Sequence, residues 1–316
     1  MGEKGDFAAI LTENPAMKEA IETAKKVAPS DVNILITGES GTGKNVFSEA
    51  IHHASKRQAC PFIHVNCLAI PDTLIESELF GHEKGAFTDA HALKKGSFEC
   101  AKGGTIFLDE IGDMTHLAQG KILQAVEAKQ FRRVGGETTL DCDARIISAT
   151  NRNLTKKIEQ GQFREDLYYR LKEVSLHLSP LRERKEDIPL LIRYFIQHCG
   201  KIHGKPDLDI SKTALNYLAQ HSWPGNIREL KHVVESAVIL CTEKTLWLEH
   251  FPFELRLNTD EAKTNSSSDF SIEAVLKKHI LSALQYYKGN KKKTASALRI
   301  SRPRLDRYIE KFQLQP

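Results

Sequence analysis

The sequence predicts an α/β protein built on a parallel sheet, followed by a small helical subdomain and a basic helical tail. Three observations carry this prediction. Apolar, β-branched runs alternate with helical patterns over roughly the first 180 residues, which is the pattern of successive βα units. From about residue 181 the helical segments follow one another with no strand between them. The last stretch, residues 271–316, holds eleven Lys/Arg against three acids, so it carries +8 while residues 1–270 carry −4 of the net +4. A basic tail on a mildly acidic body suits contact with a polyanion.

Taken in order, residues 1–30 read as a lead-in with helical periodicity through Met17–Val27. Val32–Thr37 (VNILIT) is a continuous apolar run of the kind that forms a buried parallel strand. Similar runs follow at Phe62–Asn66, Thr105–Leu108 and Arg145–Ala149, with helical patterns at 44–55 and 117–129. Segments 187–203, 211–221 and 226–241 read as helices of a second subdomain. Residues 258–269 (NTDEAKTNSSSD) are polar and turn-rich and read as linker. Three helices are then expected at 272–287, 291–298 and 302–313. The expected division is 1–180 for the α/β part, 181–255 for the helical part, 256–270 for the linker and 271–316 for the tail.

Composition narrows the class. The chain has 316 residues, 41% of them hydrophobic and 27% charged, which suits a globular protein with a sizeable core. No apolar run approaches the roughly 20 residues that span a bilayer. The opening Met-Gly-Glu-Lys-Gly-Asp reads as no secretory signal, and Asp6 spoils the myristoylation pattern. The six cysteines (60, 67, 100, 142, 199 and 241) form no C-x-x-C pair and no zinc spacing. They read as reduced cysteines, and a cytoplasmic location is expected.

The strand VNILIT runs directly into Gly38-Glu39-Ser40-Gly41-Thr42-Gly43-Lys44 and then a helix, the context a phosphate-binding loop requires. Its backbone N–H groups can surround a phosphate, the helix N-terminus adds partial positive charge, and Lys44 can reach the β/γ-phosphates of ATP. Asn45 stands where the strict pattern has Ser or Thr to bind Mg2+. Further on, Thr105-Ile-Phe-Leu-Asp109-Glu110 is an apolar strand ending in two carboxylates. There Asp109 can hold Mg2+, through water, and Glu110 can polarise an attacking water. Asn151 and Asn66 end two other strands, where parallel sheets deliver side chains to a ligand crevice.

Five ordered motifs then carry a family resemblance: GESGTGKN, ELFGHEKGAFTDA (78–90), TIFLDEIGDM, FREDLYYRL (163–171) and WPGNIREL (223–230). Together they resemble the bacterial enhancer-binding proteins, AAA+ activators of sigma-54 RNA polymerase, from about residue 8 to 255. The resemblance implies an AAA+ P-loop NTPase core, a helical lid and a ring, usually a hexamer. It implies that Asn66 is a switch restraining Glu110, that Asn151 is a first sensor, and that Arg228 is a second sensor on the lid. Arg164 and Arg170 resemble arginine fingers that act on a neighbouring subunit. The family's lysine is followed by glutamate, so a missing hydroxyl is normal there, although Asn45 differs from that glutamate too.

The sigma-54-contacting loop corresponds to Gly85, Ala86, Phe87, Thr88, Asp89 and Ala90. Phe87 and Thr88 match the family's contacting pair, but Asp89 replaces a glycine. Asp tolerates a left-handed backbone better than most residues, so the loop's conformation is expected to survive with an added charge. Gly135-Gly136 sits where the family has a second pore-facing loop, and reads equally well as a hairpin turn.

Residues 288–305 fit a helix-turn-helix of the Fis type. Ala295, Leu298, Ile300 and Leu305 form its expected core, Ser301 its N-cap and Pro303 its first turn. Arg302, Arg304 and Arg307 would face DNA, though not all toward the groove, and Lys291, Lys292 and Lys293 would meet phosphates. Arg299 takes the place of the usual turn glycine. Such modules often bind double-stranded DNA as dimers, so a resting dimer is expected.

The function these readings imply is ATP-driven remodelling of the sigma-54 polymerase closed complex by an activator bound at enhancer DNA. One alternative is a DNA-binding regulator independent of sigma-54 that uses ATP as an assembly switch, with Asp89 as its support. Another is a DNA-processing motor such as a helicase, which the intact GAFT tetrapeptide opposes. About 30 residues precede the first strand, too few for a receiver or ligand-sensing domain.

Overall fold

The computed structural model describes residues 6–252 and, within 276–312, all but 278, 282, 285, 286, 288, 289 and 299. The expected linker, the start of the helix at 272–287 and the turn residue Arg299 lie outside the described residues. The chain folds as two compact units, Met1–Leu255 and Arg256–Pro316.

The first unit opens with α1 (Pro15–Val27), whose start is fixed twice: the Asn14 side chain accepts from the Met17 N–H, and Pro15 takes the first turn. Then come β1 (Ile34–Gly38), α2 (Lys44–His53), β2 (Phe62–Asn66), α3 (Ile75–Phe80), the short ribbon β3 (Gly81–His82) and β4 (Lys94–Lys95), and α4 (Ser97–Cys100). They are followed by β5 (Thr105–Asp109), α5 (His116–Glu127), the hairpin β6 (Gln130–Arg132) and β7 (Thr139–Asp141), β8 (Arg145–Thr150), α6 (Leu154–Glu159), α7 (Glu165–Leu171) and β9 (Val174–Leu178).

Five strands form one parallel sheet in the order β2-β5-β8-β1-β9. The central strands β5 and β8 are buried at every residue, since helices cover both faces. Alternate side chains therefore feed two cores. Leu35, Ile106, Leu108 and Ile146 face α3, α5 and α7, while Ile34, Ile36, Phe107 and Ile147 face α1 and α2. The edge strand β9 reads Val-Ser-Leu-His-Leu with only alternate residues buried, and lacks the continuous apolar run that marks β1, β5 and β8. That is why the sequence reading missed it.

The lid follows: α8 (Asp187–Ile202), β10 (Asp209–Ile210), α9 (Lys212–Gln220), α10 (Asn226–Leu240) and β11 (Thr245–Leu246). The expectation of helices with no strand between them is corrected here, because β10 and β11 pair in parallel. Two-residue strands are too short to leave a periodic trace. Trp223 is fully buried at the centre of this core, and its ring N–H donates to the Leu218 carbonyl at 3.0 Å.

In the second unit, the helices Lys291–Ala297 and Arg302–Lys311 pack over Ile280, Leu284, Ala295 and Leu305, with Leu298 and Ile300 beside them. Asn290 caps the first helix by accepting from the Lys293 N–H. The Ser301 hydroxyl makes no capping hydrogen bond, so the second helix starts on Pro303 at its first turn and on the Ser301 carbonyl, which accepts from Arg304 and Leu305. Among the described residues no helix is long and apolar enough to cross a membrane.

Candidate functional site

The order of the sheet sets the site. β5, β8 and β1 are neighbours, so the loops that leave their C-terminal ends converge in one crevice. From β1 comes the loop 38–44. Gly41 (φ +79°) and Gly43 (φ +106°) have left-handed backbones, which glycine adopts without a Cβ clash. A Cβ on Gly41 would lie 2.3 Å from the Gly225 carbonyl oxygen, so the loop and the lid meet closely at that point.

Lys44 is 5% exposed. Its ammonium donates to the Gly38 and Glu39 carbonyls at 3.0 and 3.3 Å and lies 3.5 Å from a Glu110 carboxylate oxygen. The other Glu110 carboxylate oxygen accepts the Asn151 backbone N–H at 3.0 Å. Asp109 accepts the Glu110 N–H at 3.0 Å, and its second oxygen is 3.7 Å from His64 Nε2. Four residues from three separate motifs are thus brought together. Glu110 itself is a non-glycine residue in the left-handed region (φ 54°, ψ 45°). Such a conformation costs on the order of 1–3 kcal/mol and persists where the surroundings dictate it. Here the Lys44 and Asn151 contacts supply that constraint.

The donor set suits a nucleotide with Mg2+. Lys44 and the loop N–H groups match phosphate, and the Asp109 carboxylate is the hard oxygen donor that magnesium prefers. Beside the crevice a cleft of about 380 Å³ is lined by Gly38, Glu39, Asn151, Lys172 and His177 among others.

Other expected site residues have different surroundings. Asn66 uses its side-chain oxygen to accept from the Leu68 and Ala69 N–H groups, which starts a 3-10 turn rather than touching Glu110. Arg164 pairs with Asp166, and Arg170 with Glu127, on exposed surface. Solvent screens such pairs, so either guanidinium can exchange its partner at small cost. Arg228 donates to the Ser40 hydroxyl at 2.8 Å, directly over the phosphate loop.

The loop 85–90 lies between β3 and β4. The Gly85 N–H donates to the Ala90 carbonyl at 2.8 Å, the Phe87 carbonyl accepts from Ala90, and Ala90 is buried. Phe87 is 38% exposed, and its ring lies edge-on to His82 with centroids 4.8 Å apart. His82 in turn shares a 2.7 Å hydrogen bond with Ser77. The positive φ belongs to Gly85 (+83°), and Asp89 is not among the positive-φ residues. Asp89 thus avoids the left-handed strain that a glycine position suggested.

Gly135 (φ +74°) sits in the turn between β6 and β7, and a Cβ there would lie 2.7 Å from Ala86 Cβ. Arg133 donates to Glu83 and Glu99, and the Val134 backbone bonds to Gly81 and Glu83. The hairpin turn therefore also braces the base of the loop 85–90.

In the second unit Lys292, Lys293, Arg302, Arg304 and Arg307 are exposed, whereas Lys291 pairs with Asp306 at 3.1 Å and ties the two helices together. Arg304 and Arg307, three residues apart, share one helix face.

The sequence reading named Arg228 but missed the other residues that join the lid to the phosphate loop. Arg182 grips Glu39, Arg184 donates to the Thr42 carbonyl, and buried Asn226 bonds both Glu39 and Ser40. Only the Asn226 position, inside WPGNIREL, carried a signal.

Three family profiles cover the chain. "Sigma-54 interaction domain" matches residues 10–177, "AAA+ ATPase lid domain" residues 182–268, and "Bacterial regulatory protein, Fis family" residues 271–312. Regulatory protein AtoC of Escherichia coli is 44% identical over 314 residues, covering 97% of this chain and 68% of AtoC. The DNA-binding transcriptional regulator NtrC of Azospirillum brasilense is 42% identical over 88% of this chain and 58% of its own length. Among solved structures, NtrX of Brucella abortus in complex with ATP superposes with a TM-score of 0.71 at 34% identity, over 96% of this chain and 69% of NtrX.

Proposed function

The chain belongs to the sigma-54-dependent, NtrC-like family of AAA+ transcriptional activators with a Fis-type helix-turn-helix, and on that premise we propose that it is an ATP-hydrolysing activator of sigma-54 polymerase. The observation that carries this reading is the meeting of Lys44, Asp109, Glu110 and Asn151 at the ends of three adjacent strands.

The 38–44 loop would hold the phosphates of ATP, and Arg228 would reach them from the lid. Asp109 would hold Mg2+, which when bound would supply positive charge to offset that of the phosphates. Glu110 orients the attacking water and accepts its proton. For this it must leave the Lys44 ammonium, which the phosphates draw away. Arg164 and Arg170, free of their surface carboxylates, would enter a neighbouring subunit's site in a ring, and fingers of this kind raise turnover about 10³–10⁵-fold. ATP-driven motion would reach the loop 85–90 at its base, which Arg133 and the hairpin turn at Gly135 brace. Phe87 would leave its seat on His82, and with Thr88 would contact sigma-54. The second unit would hold the assembly at enhancer DNA, with Lys292 and Lys293 on phosphates and Arg304 and Arg307 in the groove.

Asp89 favours one second reading, a regulator that keeps its ATPase for assembly without engaging sigma-54. Mg2+-dependent ATP hydrolysis by the native chain and its loss in Lys44→Ala test the motor. Hydrolysis without promoter opening would select the second reading.

A further inference from the structure

Two lid segments, 182–184 and 226–227, together touch every residue from Glu39 to Thr42. Arg182 donates twice to the Glu39 carboxylate, at 2.8 and 2.6 Å. Asn226 is fully buried and left-handed (φ 54°). Its amide N–H groups reach the Glu39 carboxylate at 3.2 Å and the Ser40 carbonyl at 3.0 Å, while its side-chain oxygen accepts the Leu181 N–H at 2.7 Å. The Ile227 N–H donates to the Gly41 carbonyl, and Arg184 to the Thr42 carbonyl, both at 3.0 Å. Arg184 lies 3.9 Å from the buried Asp187 carboxylate, which also accepts from Thr12, Glu13 and Asn14.

We propose that Glu39 and Arg182 form a latch that fixes the angle of the lid on the phosphate loop, and so sets the reach of Arg228 toward a bound nucleotide. Both side chains act by position, and the latch's use in catalysis rests on the nucleotide-binding reading above.

Magnitudes favour positioning over stability. Glu39 and Arg182 are each more than 40% exposed, and solvent screens such a pair so that it adds little to folding. A bidentate guanidinium–carboxylate pair nevertheless fixes orientation, because two parallel bonds define a plane. The buried Asn226 network supplies the hinge point, and the exposed pair beside it sets the angle. Arg182 holds the Glu39 carboxyl below its usual range, with Asn226 adding to the effect, so the pair stays charged at neutral pH.

The test uses the full chain with exposed Cys60 and Cys100 replaced by serine and spin labels at exposed Glu49 and Leu240, one on α2 and one at the end of α10. Pulsed dipolar spectroscopy without nucleotide should give one narrow distance for the native latch. Arg182→Ala and Glu39→Gln should each broaden it, the double variant should broaden it no further, and Arg182→Lys should restore part of the narrowing. With ATP, Arg182→Ala should raise KM about tenfold while changing kcat by less than about twofold, equivalent to about 1.4 kcal/mol of nucleotide affinity. An unchanged narrow distance with native KM in both single variants would overturn the latch. Additive effects in the double variant would overturn it as well. If the native chain binds no ATP, the nucleotide reading fails on its own, and the distances in the nucleotide-free chain still decide the latch.

Discussion

Glu110 shows how much one residue can reveal and how little of that is written in its neighbours. The pair Asp109-Glu110 after an apolar strand was legible because parallel strands end at ligand crevices. Its left-handed backbone and its contacts with Lys44 and the Asn151 N–H depend on three separate segments meeting, which no local pattern encodes. Glu110→Gln is expected to keep nucleotide affinity and cut turnover by about 10²–10⁴-fold, the range for losing a general base. Equilibrium binding of a fluorescent ATP analogue alongside steady-state turnover checks this, and a parallel loss of binding would contradict it. His52 makes a second prediction at this scale. Its ring is 2% exposed and hydrogen-bonded to Thr105, and burial, with the neighbouring His53, pushes its pKa down. A histidine held neutral in the fold contributes stability above its unfolded pKa of about 6.5, and that contribution is lost as pH falls below this value. Urea unfolding at pH 7.5 and 5.5 should show the loss, and His52→Gln should reduce it. Equal pH dependence in both proteins would count against His52 as its source.

At the scale of elements, strands that form a mostly apolar run were readable, the partly exposed β2 among them, and the alternating or very short ones were not. β1, β5 and β8 announce themselves as apolar runs, while β9 alternates and β10 and β11 hold two residues each. The lid helices were readable from periodicity. Their attachment to the phosphate loop was not, because Arg182 and Arg184 look like ordinary surface charges in a run of Arg, Glu and Lys. The loop 85–90 was legible from its motif, yet its seat on His82 and its brace at Gly135 come from packing. The lid's own core can be probed through Trp223, the largest fully buried side chain among the described residues. Trp223→Ala should destabilise the lid by about 3–5 kcal/mol through lost contacts and a cavity. Circular dichroism across a urea titration would measure it, and a change under about 1 kcal/mol would show that the lid core does not depend on this ring.

For the whole molecule, the central issue is whether one chain holds a complete site. Arg164 and Arg170 pair with carboxylates of their own subunit, away from Lys44. Catalysis in a ring predicts that Arg164→Ala loses about 10³–10⁵-fold in turnover. It also predicts that mixing this variant with inactive Asp109→Ala restores activity, since some interfaces then join an intact site to intact fingers. No recovery on mixing would argue that each subunit works alone. The chain spans 58–69% of the length of AtoC, NtrC and NtrX, so its own 316 residues set the scope of these expectations. The measurement that bears most directly on the central claim is ATP-dependent open-complex formation by sigma-54 polymerase at a model promoter, with Asp109→Ala as control. The native chain alone should open the promoter. ATP hydrolysis at a native rate with the promoter still closed would contradict it, and would mark Asp89 as the residue that separates the motor from sigma-54.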